Sequence, residues 1–274
     1  MTRDDTLKRI DEAAIAMRKQ AIDMTYNTGR TGAHIGGGLS LIEIMSVLYM
    51  GILKYNLDDL EDENRDRLVF SKGHGALALY TAMWQAGILS NDDLACFKHD
   101  ESSISAHPSM NSKIGIEFSS GSLGQGLSLG VGVGISLKRK NLPDPKVYII
   151  LGDGECNEGS IWEAAAYASH MNLDNIVVII DNNRLQYDGT TDDILSMNPM
   201  EDKWKSFGWD TVTVDGHDTE MLYNELSKSH SRPLAVIANT IKGKGVSFME
   251  NNPLWHNGKL SEKQYEQAVS EVSA

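Results

Sequence analysis

Apolar residues near the start of the chain recur at steps of three and four: Leu7, Ile10, Ala14, Met17, Ala21 and Met24. This spacing gathers them on one face of a helix. Asp5 or Thr6 would cap that helix, and Gly29 should stop it. The same rhythm predicts helices over residues 41–53, 75–84 and 127–138, the last rich in small residues that allow close packing. The pattern then changes. Residues 147–151 and 176–180 are short, continuous apolar runs, and residues 209–214 and 234–238 supply two more. Helix-like stretches at 161–171 and 221–230 separate these runs, and a further one covers 261–272. Strands apolar on both faces, alternating with helices, predict an α/β fold: a parallel sheet with helices on both faces. With no internal repeat or low-complexity segment, residues 1–274 are expected to form a single domain, with none following.

The chain has 274 residues, of which 41% are hydrophobic and 23% charged, enough for a sizeable core. Its net charge of −13 provides no basic field for nucleic acid or for an anionic membrane surface. A phosphorylated ligand would therefore need a local device, such as a metal, a helix N-terminus or a few placed lysines. Cys96 and Cys156 show neither metal-ligand spacing nor a disulfide framework, as expected in a reducing cytoplasm. The start, Met1-Thr2-Arg3-Asp4-Asp5, is polar, and no apolar run approaches the roughly 20 residues needed to span a bilayer. These features predict a soluble cytoplasmic protein.

The sharpest chemical signal is Gly152-Asp153-Gly154, between a strand and a helix, with Asn183 closing the next strand 30 positions after Asp153. In a parallel sheet, ligands bind beyond the carboxyl ends of the strands, where both segments lie. Asp153 and Asn183 offer two hard oxygen ligands, and a backbone carbonyl just after Asn183 offers a third. Such a set suits Mg²⁺ or Ca²⁺, with diphosphate oxygens and water completing the shell. The glycines admit the backbone close to a diphosphate, and the following helix N-terminus faces its charge. A tight turn with a solvated aspartate is the plainer reading of an isolated Gly-Asp-Gly, but the paired strand ends argue against it.

This pairing resembles the signature of thiamine-diphosphate enzymes. The wider text, Gly152-Asp153-Gly154-Glu155-Cys156-Asn157-Glu158-Gly159 and Asn183-Arg184-Leu185, is similar to the transketolase family in particular. The resemblance implies that Asp153, Asn183 and the carbonyl of Leu185 hold the metal, with Gly154 and Glu158 against thiamine diphosphate. Ser119-Ser120-Gly121-Ser122-Leu123-Gly124-Gln125-Gly126 reads on its own as a helix-entry loop. Its likeness to the family's Gly-x-Leu-Gly-Gln-Gly segment implies that the backbone of Gly121, Ser122 and Leu123 meets the aminopyrimidine ring.

Four histidines lie in loops, His34, His74 and His107 beside glycine or proline within a residue or two, and His256 before Asn257-Gly258. A lone histidine in such a loop is more often a turn residue, and this set has no zinc spacing. The resemblance implies that His34 and His107 orient a sugar donor, while His74 and His256 lie near the thiazolium and diphosphate. Imidazole suits these tasks because it donates or accepts near neutral pH. Lys242, in Thr240-Ile241-Lys242-Gly243-Lys244, resembles the family lysine that reaches the diphosphate; a solvated loop lysine is the plainer reading, and more so for Lys72 and Lys244. Gly37 stands where some members carry serine, so a cofactor contact there would run through backbone. Trp255-His256-Asn257-Gly258 also departs from the family's His-Gly.

The resemblance covers residues 7–268 but only the first half of a full-length transketolase. The domain with the glutamate that activates the aminopyrimidine is expected on a separate C-terminal subunit, two copies of each chain forming the assembly. Together they would transfer a two-carbon ketol unit from a ketose phosphate to an aldose. The alternatives are a deoxyxylulose-phosphate synthase-like subunit, a 2-oxo-acid dehydrogenase-like subunit or a non-catalytic cofactor-binding subunit. The first normally carries a long insertion for which the 26 positions from Asn183 to Trp209 leave little room; the second lacks the His34, His74 and His107 set.

Overall fold

The computed structural model describes residues 2–100, 102–142 and 144–273. Residues 1 and 274, the ends of the expected domain, lie outside them. The chain opens with helix α1 (Arg3–Asn27), capped by Thr2 in a box with Asp5 rather than by Asp5 or Thr6. Its first turn is polar and exposed, so apolar periodicity could not register it. Short helices α2 (Ile35–Leu39) and α3 (Ile42–Val47) follow. The helix expected over 41–53 ends in a π-helical turn (Leu48–Ile52), where the Leu53 N–H donates to the Leu48 carbonyl at 2.8 Å.

Strand β1 (Arg67–Phe70) was not anticipated by the apolar pattern. It leads into α4 (Ala76–Gln85), α5 (Asn91–Ala95) and α6 (Gly126–Arg139). Then β2 (Val147–Gly152), α7 (Gly159–His170) and β3 (Ile176–Asn182) alternate as expected. After them run α8 (Thr191–Leu195), α9 (Met200–Ser206), β4 (Asp210–Asp215), α10 (Thr219–Leu226), β5 (Leu234–Asn239) and α11 (Glu262–Val272).

The sheet order is β1-β2-β3-β5-β4, with every pairing parallel. Alternate side chains serve two separate cores. Tyr148, Ile150, Val177 and Ile179 join residues of α1, α3, α4 and α10 on one face. Ile149, Leu151, Val178 and Ile180 join Leu127 and Val131 of α6, Ile161 of α7 and Trp204 of α9 on the other. Burial on both faces explains why these strands read as unbroken apolar runs.

The outer face of α6 is unusual for a surface. Ser128, Leu129, Gly132 and Ser136 are exposed, and no charged residue occurs between Gly126 and Leu137. On the neighbouring α7, Ala166 and Tyr167 are exposed too, Tyr167 by 50%. Both cysteines are free, Cys156 buried and Cys96 exposed. Among the described residues no helix is long and apolar enough to cross a membrane.

Candidate active site

Register brings the expected ligands together. Gly152 pairs with Asp181 across β2 and β3, so Asp153 and Asn183 emerge side by side at the carboxyl edge. Both are buried. The Asp153 carboxylate accepts from the N–H groups of Gly154 at 2.7 Å and Arg184 at 2.5 Å. Arg184 adopts φ +61°, which turns the chain back toward Asp153. The Asn183 side-chain oxygen accepts from the Leu185 N–H at 3.0 Å. Burial, reinforced by nearby Asp181, raises the Asp153 carboxyl to a pKa of about 6 against the pull of Lys72 and the two N–H groups.

Two buried lysines flank this edge. Lys72 forms a buried ion pair with Asp181, which also accepts from Ser40 at 2.5 Å and from Thr240. Lys72 is therefore committed within the fold. Lys242 is 2% exposed; its ammonium donates to the carbonyls of Leu185 at 3.2 Å and Gln186 at 3.3 Å and to His256 Nδ1 at 3.1 Å. Burial and the charge of Lys72 lower its pKa to about 8, against Asp153 and Asp181. It is no solvated loop lysine. Its loop is held from behind: the Ile241 N–H donates to His217 Nε2 at 2.8 Å, and His217 Nδ1 meets Glu43, the partner of Arg18. Lys244, by contrast, is partly exposed and reaches only toward Glu250 at 3.9 Å.

The four histidines, distant in sequence, meet. The His34 ring lies 6.0 Å from His74, 5.3 Å from His107 and 5.4 Å from His256, centroid to centroid. His74 and His256 stack at 5.2 Å, and Tyr187 abuts His256. Burial, then the neighbouring imidazoles and lysines, lowers all four; His34 and His256 fall to about 4. The cluster is neutral at pH 7. A β-carbon on Gly37 would stand 3.1 Å from the His74 ring, a tight contact to which the ring would have to yield by a few tenths of an ångström.

Gly121, Ser122 and Leu123 are exposed along one lip of this cleft, as is Glu158, and Gly121 borders His107. Three buried polar groups of this region were not singled out from the sequence. Asp181 ends an apolar strand, and a charge at that place required a buried partner. Glu155 directly follows the Gly-Asp-Gly turn, and its carboxylate is buried. Gln186 lies across Gly154 with its side-chain nitrogen buried and unpartnered. The Asn183–Leu185 segment also lines a cavity of about 800 Å³ that reaches Asp215, His217 and Lys244.

A profile described as "Transketolase, thiamine diphosphate binding domain" matches residues 10–272. The chain belongs to the transketolase family. It is 39% identical over 271 residues to a 6-deoxy-6-sulfo-D-fructose transketolase subunit from a Clostridium species, covering 93% of this chain and 98% of that one. It is 40% identical to an apulose-4-phosphate transketolase subunit of Phocaeicola vulgatus, over 93% of this chain and 91% of the relative. Against full-length human transketolase it is 34% identical, spanning 97% of itself but 42% of that protein. The solved transketolase of Campylobacter jejuni superimposes with a TM-score of 0.89 at 30% identity, over 97% of this chain and 43% of that one. The chain is thus an enzyme subunit of the N-terminal transketolase type, carrying the thiamine-diphosphate-binding fold. The synthase, dehydrogenase and non-catalytic alternatives are less well supported.

Proposed function

We propose that residues 1–274 form one cofactor-binding domain that transfers a two-carbon ketol unit from a ketose phosphate to an aldose, together with a separate C-terminal subunit. The observation that carries this reading is the meeting of four histidines beside the Asp153 and Asn183 edge. Three carboxylates are buried there, Asp153, Glu155 and Asp181, against two ammonium groups, Lys72 and Lys242. A diphosphate would add more negative charge, so a divalent cation fits the local balance. Asp153, Asn183 and the Leu185 carbonyl are oxygen donors suited to Mg²⁺ or Ca²⁺. Among the described residues no group of three or more histidine, cysteine or acidic side chains is placed to hold a metal ion. The remaining ligands would then come from the diphosphate and water.

Thiamine diphosphate, when bound, supplies the carbon nucleophile that carries the ketol unit. The chain's own groups bind and orient. Lys242, Gly154 and His256 would meet the diphosphate end, the backbones of Gly121, Ser122 and Leu123 the aminopyrimidine, with Glu158 beside them. Gly37 would offer backbone, and His74 would border the thiazolium. His34 and His107 would hold the sugar's hydroxyl and carbonyl oxygens, as neutral imidazoles that either donate or accept. Two free cysteines suit a cytoplasmic setting.

The C-terminal partner would bring the glutamate that activates the aminopyrimidine and would close the exposed lip at Gly121–Leu123, excluding water. Two copies of each chain would make a symmetric assembly. The test is to purify the two chains separately, assay each with Mg²⁺ and thiamine diphosphate, then mix them and measure mass and ketol transfer. Activity should require both chains. Full activity from this chain alone would overturn the two-subunit reading. Because the relatives are named for apulose-4-phosphate and for a sulfonated sugar, the donor panel should include phosphorylated, branched and sulfonated ketoses.

A further inference from the structure

Glu155 holds three segments of the cleft at once. Its carboxylate is 2% exposed. One oxygen accepts from the Gly124 N–H at 2.9 Å and from the Ser71 hydroxyl, and the other from the Gly152 N–H at 3.1 Å. The Ser71 oxygen in turn accepts from the Gly126 N–H at 3.1 Å. Glu155 and Ser71 thus grip the chain on both sides of Gln125, just before α6 begins.

The grip has no slack. A β-carbon on Gly126 would meet the Ser71 β-carbon at 2.2 Å, and one on Gly124 would meet that of Glu158 at 2.7 Å. Gly121 at φ +139° and Gly124 at φ +86° are conformations that glycine adopts freely. Such freedom leaves the loop without a preferred shape of its own, so these hydrogen bonds decide it. A buried carboxylate is tolerated only when its acceptors are used, and here both oxygens are.

We propose that Glu155 is a positioning residue that, directly at Gly124 and through Ser71 at Gly126, couples the Gly152–Gly154 turn to the 121–126 segment and sets the ring end of the cofactor cleft against its diphosphate end. The inference rests on the cofactor reading above and assigns a task to a residue outside the binding set. Glu155→Gln is the direct probe: however its amide turns, an NH₂ group replaces one acceptor and faces a backbone N–H. Two measurements on the full-length chain separate positioning from general damage. In hydrogen exchange, the Gly124 and Gly126 amides should exchange faster in the variant while those of β3 are unchanged.

In the assembly with the C-terminal subunit, titration calorimetry with Mg²⁺ and thiamine diphosphate should show affinity falling by about 10–100-fold, the range for groups that orient a ligand. Inorganic pyrophosphate with Mg²⁺, which has no ring, should lose less affinity than thiamine diphosphate, since two of the three backbone contacts held by Glu155 and Ser71, at Gly124 and Gly126, lie at the ring end and only the Gly152 contact borders the diphosphate end. Equal losses for both ligands, or unchanged exchange at Gly124 and Gly126, would overturn the proposal. If the wild-type assembly bound neither ligand, the cofactor reading would fail, and the exchange data would still decide the coupling. Should Glu155→Gln not fold, Ser71→Ala removes the Gly126 contact and the hydroxyl's bond to Glu155 while leaving Gly124 and Gly152 on the carboxylate, and should show the same pattern at smaller amplitude.

Discussion

Asp153 keeps its carboxylate almost out of water, with two N–H groups on its oxygens and Asp181 close by. A group in that position gains most from a cation. Asp153→Ala should therefore lower Mg²⁺-dependent retention of thiamine diphosphate by more than about 100-fold, beyond the range for groups that only orient a ligand. The circular dichroism of the fold should be unchanged; cofactor binding as tight as wild type would return Asp153 to the role of a turn residue. His34 and His107 are expected to act on the sugar rather than on the cofactor. Alanine at either should cut ketol transfer by about 10²–10⁴-fold if it moves protons, with cofactor affinity little altered. His34 also makes a stability prediction whose sign is fixed. Its folded pKa of about 4 lies below the ordinary value of 6.5, so between those pH values the unfolded chain binds the extra proton. Wild-type stability drawn from a neutral His34 is thus present above pH 6.5 and lost as pH falls toward 4. His34→Asn lacks this loss, so its melting temperature should gain on wild type across that window; a constant difference would refute the shift.

Glycines at the element scale show how far local propensity is overruled. Gly126 opens α6, and alanine there should favour the helix by roughly 0.5–1 kcal/mol. The added β-carbon would collide with Ser71, and overpacking costs about 1–3 kcal/mol, so the clash should win. Gly132, six residues on, has nothing within 4 Å of its would-be β-carbon, and there alanine should stabilise the isolated chain. Urea unfolding of Gly126→Ala and Gly132→Ala should give shifts of opposite sign. The same contrast explains what could be read from sequence. Strands β2, β3 and β5 were legible because both their faces are buried. β1 was not, since Arg67-Leu68-Val69-Phe70 is brief and follows a run of charged residues. Helices α8 and α9 lie where polar and apolar residues mix without a sustained period. In the site, motif residues such as Asp153, Asn183 and Lys242 were visible because glycines and strand ends framed them. Glu155, Asp181 and the His217 contact were not, because a buried charge looks like a surface charge until its partners, tens of positions away, are known.

For the whole molecule, the outer faces of α6 and α7 are the surface to test for assembly. Leu129→Asp places a charge on the uncharged face of α6, and Tyr167→Asp adds one on the neighbouring face of α7; burying an unpaired charge costs several kcal/mol. Sedimentation should show these variants failing to assemble while their isolated chains melt as wild type does. An assembly of wild-type size would locate the interface elsewhere. The bare face of α6 also has a kinetic consequence. A chain of charge −13 approaching another copy of itself meets long-range repulsion, yet the strip that would touch contributes no charge to steer or resist the encounter. Dissolved ions would then shield the repulsion without weakening the contact. Where assemblies built on ion pairs fall apart in brine, copies of this chain meeting through α6 should find each other faster as ionic strength rises.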